Sequence, residues 1–345
     1  MIRRLAALSV SSLALAAPAM TPAMADVPRV AADILPVHSL VAKVMQGLGS
    51  PDLVVPVGAS PHGYSLRPSE AAALERADLV VWVGKGLMPQ LGGTIETLAG
   101  DATALELMML DATVTRPFRE GATFEKHSHG DDDDHAGHDH GEEEHGHDDH
   151  AGHDHGEEEH GHDDHAGHDH GEDDPHAWLD PENGKVWLDA IAAALSQADP
   201  ENAGTYYANA AAGKAELDAL SEEITQMLVP VQGADYVVFH DAYQYFEARF
   251  GISAAGSISL ADASDPSAAR IAEIRDKVAE LGVRCVFSEP QFDAGLVAAV
   301  FEGAEAEAAV IDPLGVGLEQ GPMLYPELLR GLARDMSACL SGNQG

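Results

Sequence analysis

Cysteine, basic side chains and long apolar runs are all scarce in this sequence, and each scarcity narrows its function. Only Cys285 and Cys339 occur in 345 residues, and two cysteines alone do not suggest a metal site. In an oxidising compartment they are expected to pair, with two buried free thiols as the alternative. Lys and Arg number 19 against 58 Asp and Glu, a formal charge of −39 at pH 7. A surface of that sign repels phosphate and excludes a nucleic-acid partner, whereas cations are drawn to it. Beyond the first twenty-five residues no apolar stretch reaches the length of a membrane span. The common catalytic signatures are missing too. Gly84-Lys85-Gly86 lacks the spacing of a phosphate loop, and Gly315, Gly317 and Gly321 are too far apart for a dinucleotide turn. There is no G-x-S-x-G elbow and no H-E-x-x-H helix.

The chain opens on a targeting segment. Arg3 and Arg4 precede an apolar stretch from Leu5 to Met20, and Ala23-Met24-Ala25 forms a cleavage signal. The mature chain is expected to begin at Asp26 as a soluble exported protein of a bacterial periplasm. With no cysteine at the cleavage site, a lipid anchor is not expected there.

Histidine is what the sequence has in excess, and most of it lies in one stretch. Residues 127–176 read HSHGDDDDHAGHDHGEEEHGHDDHAGHDHGEEEHGHDDHAGHDHGEDDPH and hold fifteen of the 19 histidines before the last, His176. The unit HDHGEEEHGHDDHAG starts at His138, repeats at His153 and begins again at His168. Without apolar periodicity the stretch cannot bury enough surface to offset the entropy of ordering. It is expected to be a disordered tract, spanning 120–174, that gathers divalent metal through His138, His140, His145, His147, His150, His153, His155 and their neighbours. Imidazole and carboxylate together suit zinc and nearby ions. The plainer reading is a solvating acidic tract.

On either side of the tract, strands alternate with helices, the pattern of α/β proteins with parallel sheets. Strands are expected at 30–35, 53–57, 79–83 and 103–107, with helices from Pro36 to about Leu48, from Pro68, and after Pro89. Beyond the tract Asp180 and Pro181 begin a helix. A second start at Asp199-Pro200 runs unbroken to about Leu228, roughly 40 Å of rod suited to joining two domains. The second half repeats the alternation. Strands are expected at 236–239, 252–258, 285–288 and 308–311. Helices are capped by Asp241, begun at Asp265-Pro266, placed at 292–303, and placed at 325–340. Cys285 and Cys339 could meet if the last helix packs beside the strand.

Three histidines outside the repeats share one setting. His62 follows a strand in a Gly/Pro-bounded turn, His176 precedes a helix start, and His240 ends a strand. Ligands of open α/β sheets bind at the carboxyl ends of strands, so these imidazoles are expected to converge between two lobes. Asp312, at another strand end, or a water would complete a tetrahedral zinc site. Each has a plainer reading: a surface loop histidine, the last member of the tract, a hydrogen-bonded strand end, and for Asp312 a turn cap before Pro313. His38, in the first helix, reads as a packing residue.

The runs GASPHGYSLRPS (58–69), DPHAWLDP (174–181), VFHDAYQYFE (238–247), SEPQF (288–292) and IDPLG (311–315) resemble the periplasmic zinc-binding proteins of bacterial ABC importers, the cluster A-I solute-binding family. The resemblance spans nearly the whole mature chain. It implies two lobes, each a small parallel sheet flanked by helices, joined by one long connecting helix. The corresponding domains are a signal peptide at 1–25, a first lobe at 26–198, a linking helix at 199–230 and a second lobe at 231–345. It implies His62, His176 and His240 as zinc ligands, with His240 favouring zinc over manganese, and a disulfide between Cys285 and Cys339. Some members carry Glu before the first histidine, where this chain has Pro61, so the fourth ligand falls to Asp312 or water. The function implied is non-catalytic: a monomer that binds Zn²⁺ and hands it to an inner-membrane permease driven by a cytoplasmic ATPase. The alternatives are a zinc-dependent hydrolase, with Glu289 or Asp312 as general base, and a periplasmic metal buffer.

Overall fold

The computed structural model describes residues 27–119, 123–124, 173–259, 267–291 and 306–342. The targeting segment, the histidine repeats, the helix start at 265–266 and the helix expected at 292–303 lie outside the described residues.

Two parallel four-stranded sheets carry the chain. The first has the order β2-β1-β3-β4, from β1 (Val30–Ala32), β2 (Asp52–Leu53), β3 (Leu79–Trp82) and β4 (Thr103–Glu106). The second has the order β6-β5-β7-β8, from β5 (Tyr236–His240), β6 (Gly256–Ser259), β7 (Cys285–Ser288) and β8 (Glu307–Val310). β3, β5 and β7 are buried at every residue, as strands of parallel sheets covered on both faces are. The described helices are α1 (Leu35–Val44), α2 (Pro68–Glu75), α3 (Pro89–Leu98), α4 (Pro181–Ala198), α5 (Ala203–Leu228), α6 (Gln244–Phe250), α7 (Ala268–Leu281) and α8 (Leu324–Leu340). Among the described residues none is long and apolar enough to cross a membrane.

The expected rod is α5, 26 residues long and so about 39 Å. It packs against α4, α8 and α1, and Lys43 of α1 is ion-paired to its Glu216 at 2.6 Å. One apolar core runs from β1 and α1 through α4 and α5 to β5, β7 and α8. A smaller one, of Val237, Phe239, Ile258, Ile274, Val278, Val283 and Val286, lies between the second sheet and α7.

Cys285 of β7 and Cys339 of α8 form a disulfide across 54 residues of chain. Closure of a loop that long stabilises by about 4 kcal/mol on the chain-entropy account. α8 also reaches the first half. Tyr325 donates its hydroxyl to the carbonyl of Trp178 at 2.7 Å. Its ring needs Gly184 opposite, where a Cβ would come within 2.6 Å of the hydroxyl.

Several boundaries differ from the sequence pattern. β1 ends at Ala32 and α1 begins at Leu35, because Asp33 turns the chain by accepting the amide of Ile34. β2 is two residues long, although Val54 and Val55 still donate to Ala32 and Asp33 before Pro56 ends the pairing. α1 stops at Val44 short of Gly47, which has φ +84°. β6 starts at Gly256, not Ile252, after Gly251 ends α6 in the left-handed conformation. Asp180 caps α4 through the amide of Glu182, as expected. Asp241 does not cap α6, whose N-cap is Tyr243; its carboxylate faces Arg119 instead.

Candidate metal centre

His62, His176 and His240 come together, each offering one ring nitrogen, with those nitrogens all within 4.8 Å of one another. Three different local structures supply them. His62 is half-buried on the loop between β2 and α2. Its amide is held by Ser60 Oγ at 3.2 Å, and Gly63 beside it takes φ +70°. Tyr64 pins this loop by donating to the Glu70 carboxylate at 2.9 and 3.0 Å, and that carboxylate also accepts the amide of Arg67 to start α2. His176 precedes the short 3₁₀ turn Ala177–Leu179. His240 is the last residue of β5. His176 and His240 are each 4 % exposed.

Each buried imidazole rests on a buried carboxylate. His176 Nδ1 lies 2.6 Å from Asp174 Oδ1, and His240 Nδ1 lies 2.8 Å from Glu289 Oε1. A carboxylate on Nδ1 selects the tautomer that leaves the Nε2 lone pair free for a metal, and makes that nitrogen more basic. The two Nε2 atoms face each other at 3.1 Å, close to the roughly 3.3 Å that two nitrogens span around tetrahedral zinc at 2.0–2.1 Å. Asp174 is fixed in turn: its amide donates to Arg116 at 2.7 Å and its carbonyl accepts Tyr245 Oη at 2.7 Å.

Burial sets the protonation of the second-half pair. It pushes the His240 ring down to about 4, so the imidazole is neutral across the physiological range. It pushes the Glu289 carboxyl up to about 8. The pocket around the histidines is lined from both halves, by Ser60, Pro61 and Trp178 as well as Glu289, Gln291, Pro313 and Leu314. Trp178 joins the two by donating Nε1–H to the Pro313 carbonyl at 2.8 Å. Three imidazole nitrogens in a mostly apolar pocket, two of them braced by acidic side chains, form a donor set suited to zinc.

A family model described as zinc-uptake complex component A, periplasmic, matches residues 30–339. The chain belongs to this family. It is 48% identical over 337 residues to the high-affinity zinc uptake system protein ZnuA of Paracoccus denitrificans, covering 96% of this chain and 99% of that protein. It is 46% identical over 312 residues to the ZnuA of Brucella suis biovar 1, covering 90% and 91%. Among solved structures, a crystal structure of ZnuA superposes with a TM-score of 0.69 at 22% identity, covering 91% of this chain and 100% of that one. The solute-binding protein FpvC of Pseudomonas aeruginosa in complex with Mn²⁺ gives a TM-score of 0.69 at 17% identity, covering 92% and 100%. The two-lobe α/β fold is that of these proteins. Zinc is the cargo for which the ZnuA relatives are named, their role is transport, and the family is periplasmic.

Within this ZnuA-family chain, Asp312 stands apart from the three histidines. Its carboxylate accepts the amides of Leu314 at 3.0 Å and Val316 at 2.5 Å, and Gln291 Nε2 at 3.2 Å, the hydrogen bonds of a turn cap. His38 is buried in α1 with Nε2 3.1 Å from the Pro51 carbonyl, a packing role. Asp174 and Glu289 carry parts of the site that sequence reasoning did not assign to it. Asp174 is hidden among the last acids of the tract, and Glu289 read only as a general base for a hydrolase. The available signal was position, since each is an acid within reach of a candidate histidine and beside a proline. The tract residues His138, His140, His145, His147, His150, His153 and His155 lie outside the described residues.

Proposed function

We propose that this chain captures Zn²⁺ in the periplasm between its two lobes, on His62, His176 and His240, and delivers it to an inner-membrane ABC permease driven by a cytoplasmic ATPase. The observation that carries this reading is the convergence of the three imidazoles with carboxylates behind two of them. The first lobe is assigned to 26–198, the linking helix to 199–230 and the second lobe to 231–345. Residues 1–25 direct export. The fourth position goes to a water rather than to Asp312, whose oxygens already accept three hydrogen bonds. The protein acts as a monomer without a nucleic-acid partner. The tract, including His138, His140, His145, His147, His150, His153 and His155, gathers further zinc weakly and feeds the site. A hydrolase is the weaker reading, because both acids that could act as its base are engaged: Glu289 with His240 and Asp312 with its own turn.

Replacing His62, His176 and His240 together by alanine, with the tract intact, is expected to abolish tight zinc binding in a chelator competition and leave only weak sites. Unchanged tight binding would overturn the assignment. Deleting 127–170 is expected to do the reverse, keeping one tight site and removing the weak ones.

A further inference from the structure

We infer that Arg119 is a positioning residue for the metal centre, clamping the chain that leaves the first half onto the turn after His240 and so holding His240 against His62 and His176. The inference rests on the three-histidine site being the zinc site.

The chain from Thr113 to Arg119 is a strap between the halves. At its start, Val114 N–H donates to Asn183 Oδ1 at 2.8 Å and Trp187 Nε1–H donates to Thr113 Oγ1 at 3.0 Å, both partners being on α4. Farther along, Phe124 N–H donates to the Ala255 carbonyl at 2.9 Å, and Thr123 bridges antiparallel to Gly256 on edge strand β6. Arg119 lies between these anchorages. Its Nε donates to both oxygens of Asp241 at 3.0 Å, its Nη2 also meets Asp241, and its Nη1 donates to Glu247 Oε2 at 2.6 Å. The guanidinium stacks 3.9 Å from the centre of the Phe124 ring. Glu247 is held in place by Tyr236 Oη at 2.9 Å and by the amide of Ala254 at 3.2 Å.

The three charged side chains are 17 %, 8 % and 3 % exposed. A buried ion cluster of this kind contributes little net stability, because desolvation offsets attraction, but it tolerates few geometries. A guanidinium presents its donors in a rigid fork, and here that fork spans Asp241 and Glu247, which lie on either side of the β5–α6 turn. Asp241 is the residue after His240, so the geometry Arg119 enforces is that of the ligand strand's end. Withdrawing the clamp leaves the ligand set whole and loosens the second half's hold on the ion.

The test uses the mature full chain loaded with zinc, and reads the slowest phase of transfer to excess chromogenic chelator. Arg119→Gln is expected to speed that phase about tenfold, the scale of a coupling near 1.4 kcal/mol. Association rate and the visible absorption of the Co²⁺-loaded protein, which reports the ligand set, are expected to stay as in the parent. Arg119→Lys, keeping the charge but not the fork, should fall between. Asp241→Asn, which leaves Arg119 on Glu247, should also speed release, and decides alone if Arg119→Gln does not fold. Parent-like release in these variants overturns the clamp. So does a changed Co²⁺ spectrum or a slowed association, which would mark a general loss of structure. If the parent itself shows no tight zinc phase, the zinc-site reading has failed and the clamp falls with it.

Discussion

In the first sheet the chain leaving β1 reaches Asp33; in the second, the equivalent strand β5 ends on His240. Both strands sit second in a sheet of the same winding, and both residues are buried. Asp33 turns inward, accepting the amides of Ile34 at 2.8 Å and Val83 at 2.7 Å, and burial pushes its carboxyl up to about 7. His240 turns toward the pocket. The first half therefore uses its strand end to lock backbone and sends its candidate histidines from loops, while the second half delivers its own directly from a strand. Residues on strands are placed more rigidly than residues on loops, so the centre joins a fixed face to an adjustable one.

That asymmetry can be broken or sharpened by substitution. The largest effect is expected at the histidines. His240→Ala should lower zinc affinity more than His62→Ala, and each by more than the roughly 10–100-fold typical of losing a residue that only braces a ligand. Competition with a chelator of known affinity measures both, and equal losses would remove the distinction between strand-borne and loop-borne ligands. Next come the braces. Glu289→Gln and Asp174→Asn should each cost about 10–100-fold, read in the same assay, with one tight site retained. Asp33→Ala should cost about 1–3 kcal/mol of stability in urea unfolding, since it leaves two buried amides unpaired, and should leave zinc stoichiometry alone. A loss of binding there would mean that the two strand ends are not functionally separate.

The smallest effect is a proton count. Glu289, with its carboxyl pushed up to about 8, carries its proton at neutral pH in the metal-free protein. A dication on His240 favours the ionised form, so binding expels that proton. His240, pushed down to about 4, is already neutral and has none to lose. At pH 7 zinc binding should release about one proton from this pair, and the release should fade as pH rises past about 8. Titration calorimetry in buffers of different ionisation enthalpy measures it, and a release that grows above pH 8 would contradict the assignment.

The alternation of apolar runs and helix starts made the fold legible, because parallel strands covered on both faces cannot hide: Leu79–Trp82 and Tyr236–His240 are apolar almost throughout. The three histidines were legible from their places at turns and strand ends. What sits behind them was not. Asp174 looks like every other acid of the tract, and only the fold shows that its carboxylate reaches back to the ring two residues on. The pairing of Arg119 with Asp241 and Glu247 joins residues more than a hundred positions apart, and no local pattern encodes it. Asp241 read as a helix cap, but α6 starts two residues later than that reading needs, with Tyr243 at its N-cap, and the Asp241 carboxylate is taken by the buried Arg119 guanidinium. The second strand was expected at 53–57 and is found at Asp52–Leu53, because Pro56 ends the pairing in a run whose apolar character continues past it.

Pro117 and Asp173 pair across an antiparallel bridge, so the insertion between them leaves and rejoins the protein at neighbouring points. The expense of tethering a segment at two fixed posts rises only with the logarithm of its length, about 0.6 kcal/mol per doubling. His176 lies three residues past the bridge, so a change in the number of fifteen-residue units would not need to displace it. The length of the tract and the placement of His176 are in this way uncoupled.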